Sequence, residues 1–211
     1  MRKVCLFLLL SISIASFSQK APAKFGNIPM EDMMMKVYPL DSSASAVVLV
    51  DYGVSTIEFN QIKGFQVIFE RLRRIKILTK EGLGWADFGI PLYHSSTSDQ
   101  EETVSELKVV TYNLENGKVV ETKSKKGEFM KEKSDANFNV TKIAWANVKE
   151  GSVLEISYKV ISDFLFNFQD WEFQETSPLD TVNTGQEYQN TSIMKNLCKA
   201  MLRSLLMKIN Q

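Results

Sequence analysis

Few residues in this 211-residue chain could do covalent chemistry, and they do not assemble into a known constellation. A nucleophilic thiol needs a base and a third group to orient that base. The chain has two cysteines and one histidine. Cys5 lies in the apolar N-terminal stretch, which leaves Cys198 for the remainder. His94 sits in Tyr93-His94-Ser95-Ser96-Thr97-Ser98, a polar run that reads as a solvated loop. Nothing beside either residue supplies the orienting partner. One His and one Cys cannot close a zinc ligand set either, so no catalytic residue, metal or cofactor is expected. Gly82 and Gly84 are too sparse for a phosphate-cradling loop, and no lysine follows at the required place.

Binding chemistry has better candidates. Arg71 and Arg73 interrupt an otherwise apolar alternation of Phe65, Val67, Phe69, Ile75 and Ile77. Paired guanidiniums suit a carboxylate in a groove or acids of a neighbouring domain. Alternatively, a bulge near Glu70 would shift the register and leave both arginines toward solvent. The solvent or interdomain reading is favoured, because arginine is rarely buried without a partner. Trp145, Trp171 and the strip Phe164, Phe166, Phe168 could stack sugar rings, although such strips more often belong to a core. Five lysines fall between Lys123 and Lys133, offset by Glu128 and Glu132, as in a solvated hairpin end. The 25 basic and 25 acidic residues cancel, which gives no reason to expect nucleic acid or an anionic membrane as partner. Peptide, protein or glycan remain as partner classes.

The elements that must position these residues begin after a leader. Arg2 and Lys3, the apolar run Leu6–Ile14, and Ser16-Phe17-Ser18 have the layout of a secretory signal, expected over residues 1–18. The apolar run is too short to span a bilayer, so no transmembrane segment is expected once the signal is removed. The mature chain is expected outside the cytoplasm, periplasmic or extracellular. With one cysteine left it forms no internal disulfide, and its stability must come from packing.

Residues 19–40 read as a lead with a short helix: Pro29 suits a first turn, Glu31 and Asp32 suit its positive end, and Met33, Met34 and Met35 continue it. From residue 41 to 178 strand follows strand. Ala46–Val50 reads as a central strand buried on both faces. Tyr52-Gly53 reads as a turn, with Val54–Phe59 as a separate strand and Phe65–Leu78 as the longest one. Asn116-Gly117 between Thr103–Asn113 and Lys118–Lys123 is a strong hairpin signal, because both residues tolerate positive φ. Glu150-Gly151 marks another turn. Beyond it Leu154, Ile156, Tyr158 and Val160 alternate with Glu155, Ser157 and Lys159, the pattern of a half-buried strand. A bulge near Asp170 would reconcile the Phe strip with Trp171 and Phe173. The sum is a mainly β chain, an antiparallel β-sandwich with a short N-terminal helix.

Several segments, in order, resemble one family. They are Tyr38-Pro39 with Ala44-Ser45-Ala46-Val47-Val48-Leu49, then Arg73-Arg74-Ile75-Lys76-Ile77-Leu78. Asn147-Val148-Lys149-Glu150-Gly151-Ser152-Val153-Leu154-Glu155-Ile156-Ser157-Tyr158 follows, then Trp171-Glu172-Phe173-Gln174 and Pro178. Together they resemble the uncharacterised β domain that precedes transglutaminase-like domains in exported proteins of Gram-negative bacteria, over roughly Met33 to Pro178. The resemblance implies a noncatalytic accessory domain that positions a protein or peptide substrate, or packs on its neighbour. A papain-like Cys-His-Asp domain would ordinarily follow, and no position here matches its catalytic residues. The alternative is a stand-alone exported module for glycan or peptide.

Residues 179–211 break the pattern. Back-translated with a one-base offset, Gln186–Met201 admits G-I-P-E-Y-F-N-Y-E-K-F-M-Q-G-Y, which is similar to the continuation expected of that family. The segment is therefore read as out-of-frame translation after an insertion or deletion near Pro178. Its alternative is an amphipathic helix carrying Ile193, Leu197, Met201, Leu205 and Ile209 on one stripe.

Overall fold

The structure, a computed structural model, describes residues 23–125 and 129–165. A lead carries the one-turn helix α1 (Met30–Met34), and eight strands follow: β1 (Ala46–Asn60), β2 (Gly64–Ile77), β3 (Phe88–Tyr93), β4 (Glu102–Glu115), β5 (Lys118–Lys123), β6 (Phe129–Lys133), β7 (Phe138–Ile143) and β8 (Val153–Ser162). A 3-10 turn, Lys80–Ala86, joins β2 to β3. Every pairing is antiparallel. One sheet has the order β1-β2-β8-β4-β5 and the other β3-β7-β6.

The inner face of the five-stranded sheet packs on the small sheet, as a β-sandwich does. Ala46, Val48, Phe69, Ile75, Ile77, Val109, Leu154, Ile156 and Val160 meet Ile90, Leu92 and Ile143 in that core. The outer face is also covered. Tyr38, Met33 and Phe25 from the lead pack on Val47, Leu49, Leu72, Val110 and Val153. This second layer explains why the first halves of β1 and β8 are buried on both faces.

Three strand expectations change. Ala46–Val50 is buried on both sides as expected, yet β1 is an edge strand rather than a central one. Tyr52-Gly53 is no turn, because β1 runs unbroken to Asn60 and turns only at 61–63. The alternation breaks there for another reason. The β1–β2 register shifts between Val48 and Val50, so Leu49 is an extra residue, a β-bulge. Apolar residues that face inward at Ala46 and Val48 give way to Asp51 facing inward. Glu155 also departs from expectation: it is fully buried on a strand read as half exposed.

Other local rules hold. Asn116 and Gly117 have φ of 50° and 75° in the two-residue turn joining β4 to β5. Gly151, with φ of 83°, turns the chain into β8. Residues 1–18, Trp171, Cys198 and the 179–211 segment lie outside the described residues.

Candidate functional site

Arg71 and Arg73 remain on the inner face of β2. The expected bulge near Glu70 is absent: β2 pairs with β8 without a shift from Val67 to Lys76. The Leu49 bulge lies across from them instead, and it brings Asp51 opposite Arg73. Arg71 donates from Nε and Nη2 to the two Asp51 oxygens, at 2.8 and 2.6 Å. Arg73 Nε lies 3.5 Å from Asp51 Oδ2. The Arg73 guanidinium also stands 5.6 Å from the ring centres of Trp85 and Phe88. The solvent part of the favoured solvent or interdomain reading is thus corrected for Arg73, which is 5% exposed. A carboxylate on the neighbouring strand and two aromatic faces compensate its removal from water.

Burial pulls the Arg71 pKa down, but the Asp51 carboxylate and Tyr158 outweigh it and hold it above the usual range. Burial raises the Tyr158 hydroxyl above its ordinary value, with Arg71 pulling the other way. The Arg71 guanidinium therefore stays charged and the Tyr158 phenol neutral through the physiological range. Chemically the cluster is a charge-paired brace between β1, β2 and β8.

Trp145 belongs to the same inner layer. It is 8% exposed, and its ring meets Phe88 edge-on, centres 6.0 Å apart. Phe88 thereby links Arg73 to Trp145. Tyr93 stacks edge-on to both Phe164 and Phe138. No flat, exposed aromatic row exists among the described residues.

A second charged cluster, on the outer face, was not foreseen. Arg74 donates to Glu155 Oε1 from Nε and Nη2 at 3.1 and 2.7 Å. Tyr112 donates to Glu155 Oε2 at 3.0 Å, and the Gly26 amide donates to the same oxygen at 2.8 Å. Arg74 Nη2 also reaches the Asn27 and Lys24 carbonyls. Lys76 is fully buried, and its ammonium donates to the Met33 and Gly151 carbonyls, both at 2.7 Å. Burial lowers the Lys76 pKa to about 8, partly opposed by Asp32. The sequence signal was the alternation Arg74-Ile75-Lys76, which a one-faced sheet would have turned to water.

The β1–β2 hairpin projects past the rest of the sheet. Its end carries Ile57, Phe59, Ile62 and Phe65, at 37, 66, 92 and 48% exposure. Phe59 and Phe65 pair across the strands with ring planes at 65°. Nearby, Leu165, the last described residue, packs on Val67 of β2.

His94 lies at the start of the loop expected from the sequence, bridged to Glu101. No group of three or more His, Cys, Asp or Glu among the described residues could hold a metal ion. No helix among them is long and apolar enough to cross a membrane.

No family model matches the chain, and no curated protein matches it. Among solved structures, it is similar to one titled as a "putative protease" from Parabacteroides distasonis, with 15% identity and a TM-score of 0.48. The match covers 64% of this chain and 27% of that one, so the chain spans about a quarter of its neighbour. A likeness of that degree says nothing about activity.

Proposed function

We propose that residues 41–178 are a noncatalytic accessory domain of an exported transglutaminase-like protein, and that the domain packs on a companion domain through the end of its β1–β2 hairpin. The supporting observation is the apolar hairpin end. Ile57, Phe59 and Phe65 lie on the face of β1 and β2 that forms the core elsewhere, yet here they are uncovered. Leu165, the last described residue, packs on Val67 of this same strand pair. A contiguous apolar surface is what an interdomain contact requires.

The glycan reading gains less. Sugar stacking needs an exposed ring face, and Trp145 is buried while Phe59 and Phe65 are tilted edge to face.

The nucleotide sequence downstream of the Pro178 codon is the test. A transglutaminase-like domain encoded in the shifted frame supports the reading, and its absence overturns it. With the frame restored, amide exchange at Ile57–Phe65 should slow. The chain as given should show no thiol-dependent hydrolase or cross-linking activity; robust activity abolished by Cys198→Ala would contradict a noncatalytic role.

A further inference from the structure

The two faces of the five-stranded sheet are covered by different means. The inner core, with Val48, Ile75, Leu154 and Ile156, contains no residue of the lead. Among the described residues the strand pairings of both sheets exclude the lead as well. Its one bridge, Tyr38 with Asp41, lies within the lead itself. The chain is pinned again at Ser45, whose carbonyl accepts from the Leu78 and Thr79 amides. Residues 23–44 can therefore leave the outer face without parting a strand pair.

Phe25, Met33 and Tyr38 are the apolar anchors of the lead. Its main-chain ties to the sheet run to the side chains of Arg74, Lys76 and Glu155, groups that water solvates well once they are uncovered. Lys76 differs from the other two. Arg74 and Glu155 pair with each other, at 2.7 Å. The Lys76 ammonium is fully buried and donates to two carbonyls, of Met33 in α1 and of Gly151 before β8. An ammonium has three donors, whereas a neutral amine has two, and two carbonyls suffice for the amine. The cover that the lead provides therefore favours the deprotonated form.

We propose that the lead is a strap that lifts off the outer face as one unit while the two sheets stay paired, and that the proton on Lys76 governs how often it lifts. Local opening of this kind draws on the elements with the fewest backbone ties to the core. The device is separate from the hairpin end, so either assignment stands or falls alone. Covered, Lys76 titrates near 8; uncovered, it returns toward 10.5. Between these values the lifted state holds more protons, so lifting becomes rarer as pH rises. The other charged or titratable groups around this layer are Asp32 of α1, Arg74 on the same strand, Glu155 of β8, Tyr112 of β4, and Lys149 and Glu150 in the turn. Asp32 favours the ammonium and narrows the window. Tyr112, raised by burial and by Glu155, works against the trend only above about pH 10.

The test replaces the chain's own thiols (Cys5→Ser, Cys198→Ser) and adds one cysteine at a time, Met33→Cys beneath the strap or Met34→Cys on its exposed side. The ratio of their iodoacetamide rates reads the fraction of time the strap is lifted. The ratio should lie well below one and hold nearly constant in urea below the unfolding transition. It should fall at least about tenfold from pH 8 to pH 10. Lys76→Arg, which keeps its charge, and Lys76→Met, which has none, should each abolish that fall. Amide exchange at Gly26 in the unaltered chain, divided by the intrinsic rate, should show the same opening and trend. Reaction at position 33 only as the whole chain unfolds, a ratio near one, a ratio unchanged between pH 8 and pH 10, or a fall that persists in either Lys76 variant overturns the proposal.

Discussion

Asp51 lies between two guanidinium groups, and the side chains of Asp51, Arg71 and Arg73 are 4, 18 and 6% exposed. A carboxylate so placed balances charge that water no longer screens. Asp51→Asn keeps the shape and removes the charge. Breaking a buried pair from one side ordinarily costs about 3–5 kcal/mol, and a loss of that order is expected in urea denaturation. A loss within about 0.5 kcal/mol, as at an ordinary surface site, would show that the brace contributes nothing. Lys76 carries a different signature. In the unfolded chain its ammonium titrates near 10.5, and in the fold near 8. Between these values the unfolded state holds more protons, so stability rises with pH across that window. Tyr112 acts oppositely. Burial, then the Glu155 charge, raises its pKa above 10.0, so the folded state keeps that proton longer and stability falls above about pH 10. The expected profile climbs from about pH 8 and then turns over. Lys76→Met should flatten the climb, and a flat profile in the parent chain would contradict a buried ammonium.

At the scale of elements, the lead is a structural layer. Its backbone supplies the Gly26 amide to Glu155 and the Lys24 and Asn27 carbonyls to Arg74, while Phe25 and Ile28 cover Val110, Tyr112 and Val153. Deleting the chain through Ile28 strips these partners from a buried ion pair. A loss of at least about 3 kcal/mol is expected from unsatisfied charged groups alone, readable as a lower midpoint in chemical denaturation. A midpoint unchanged by the deletion would mean that the lead merely rests on the sheet. The elements also show what the sequence made legible. Asn116-Gly117 and Gly151 were readable because positive φ restricts residue type so strongly. The Leu49 bulge was not. An extra residue in one strand leaves no mark in composition, and its loss of alternation reads as a turn at Tyr52-Gly53. The Arg74–Glu155 pair was hidden likewise, because charge at alternate positions points to water unless something covers that face. The covering piece is the lead, which has no periodicity of its own.

For the whole molecule, two sheets and a lead give a sandwich with a covered back, and among the described residues the hairpin end stands out as an uncovered apolar place. The sequence named Arg71, Arg73, Trp145 and Trp171 as contact candidates. Arg73 and Trp145 turn out to be interior, because Trp85, Phe88 and Trp145 share the core face with Arg73. Phe59→Ser with Phe65→Ser should change unfolding free energy by less than about 1 kcal/mol, since burial at that end is slight. The same pair of changes should reduce binding of an apolar dye. Strong destabilisation would place these rings in the fold rather than on an interface.

The lead holds the outer charged cluster by main-chain atoms: one amide and two carbonyls, from residues 24, 26 and 27. Any residue type offers those atoms. Lys24 and Asn27 can therefore drift in identity over generations without loosening the clasp on Arg74 and Glu155. Gly26 is the exception, because its φ of 84° is left-handed and other residues resist it. Lineages of this domain would then show an apparently unconstrained stretch with one fixed glycine, although the stretch is structurally indispensable.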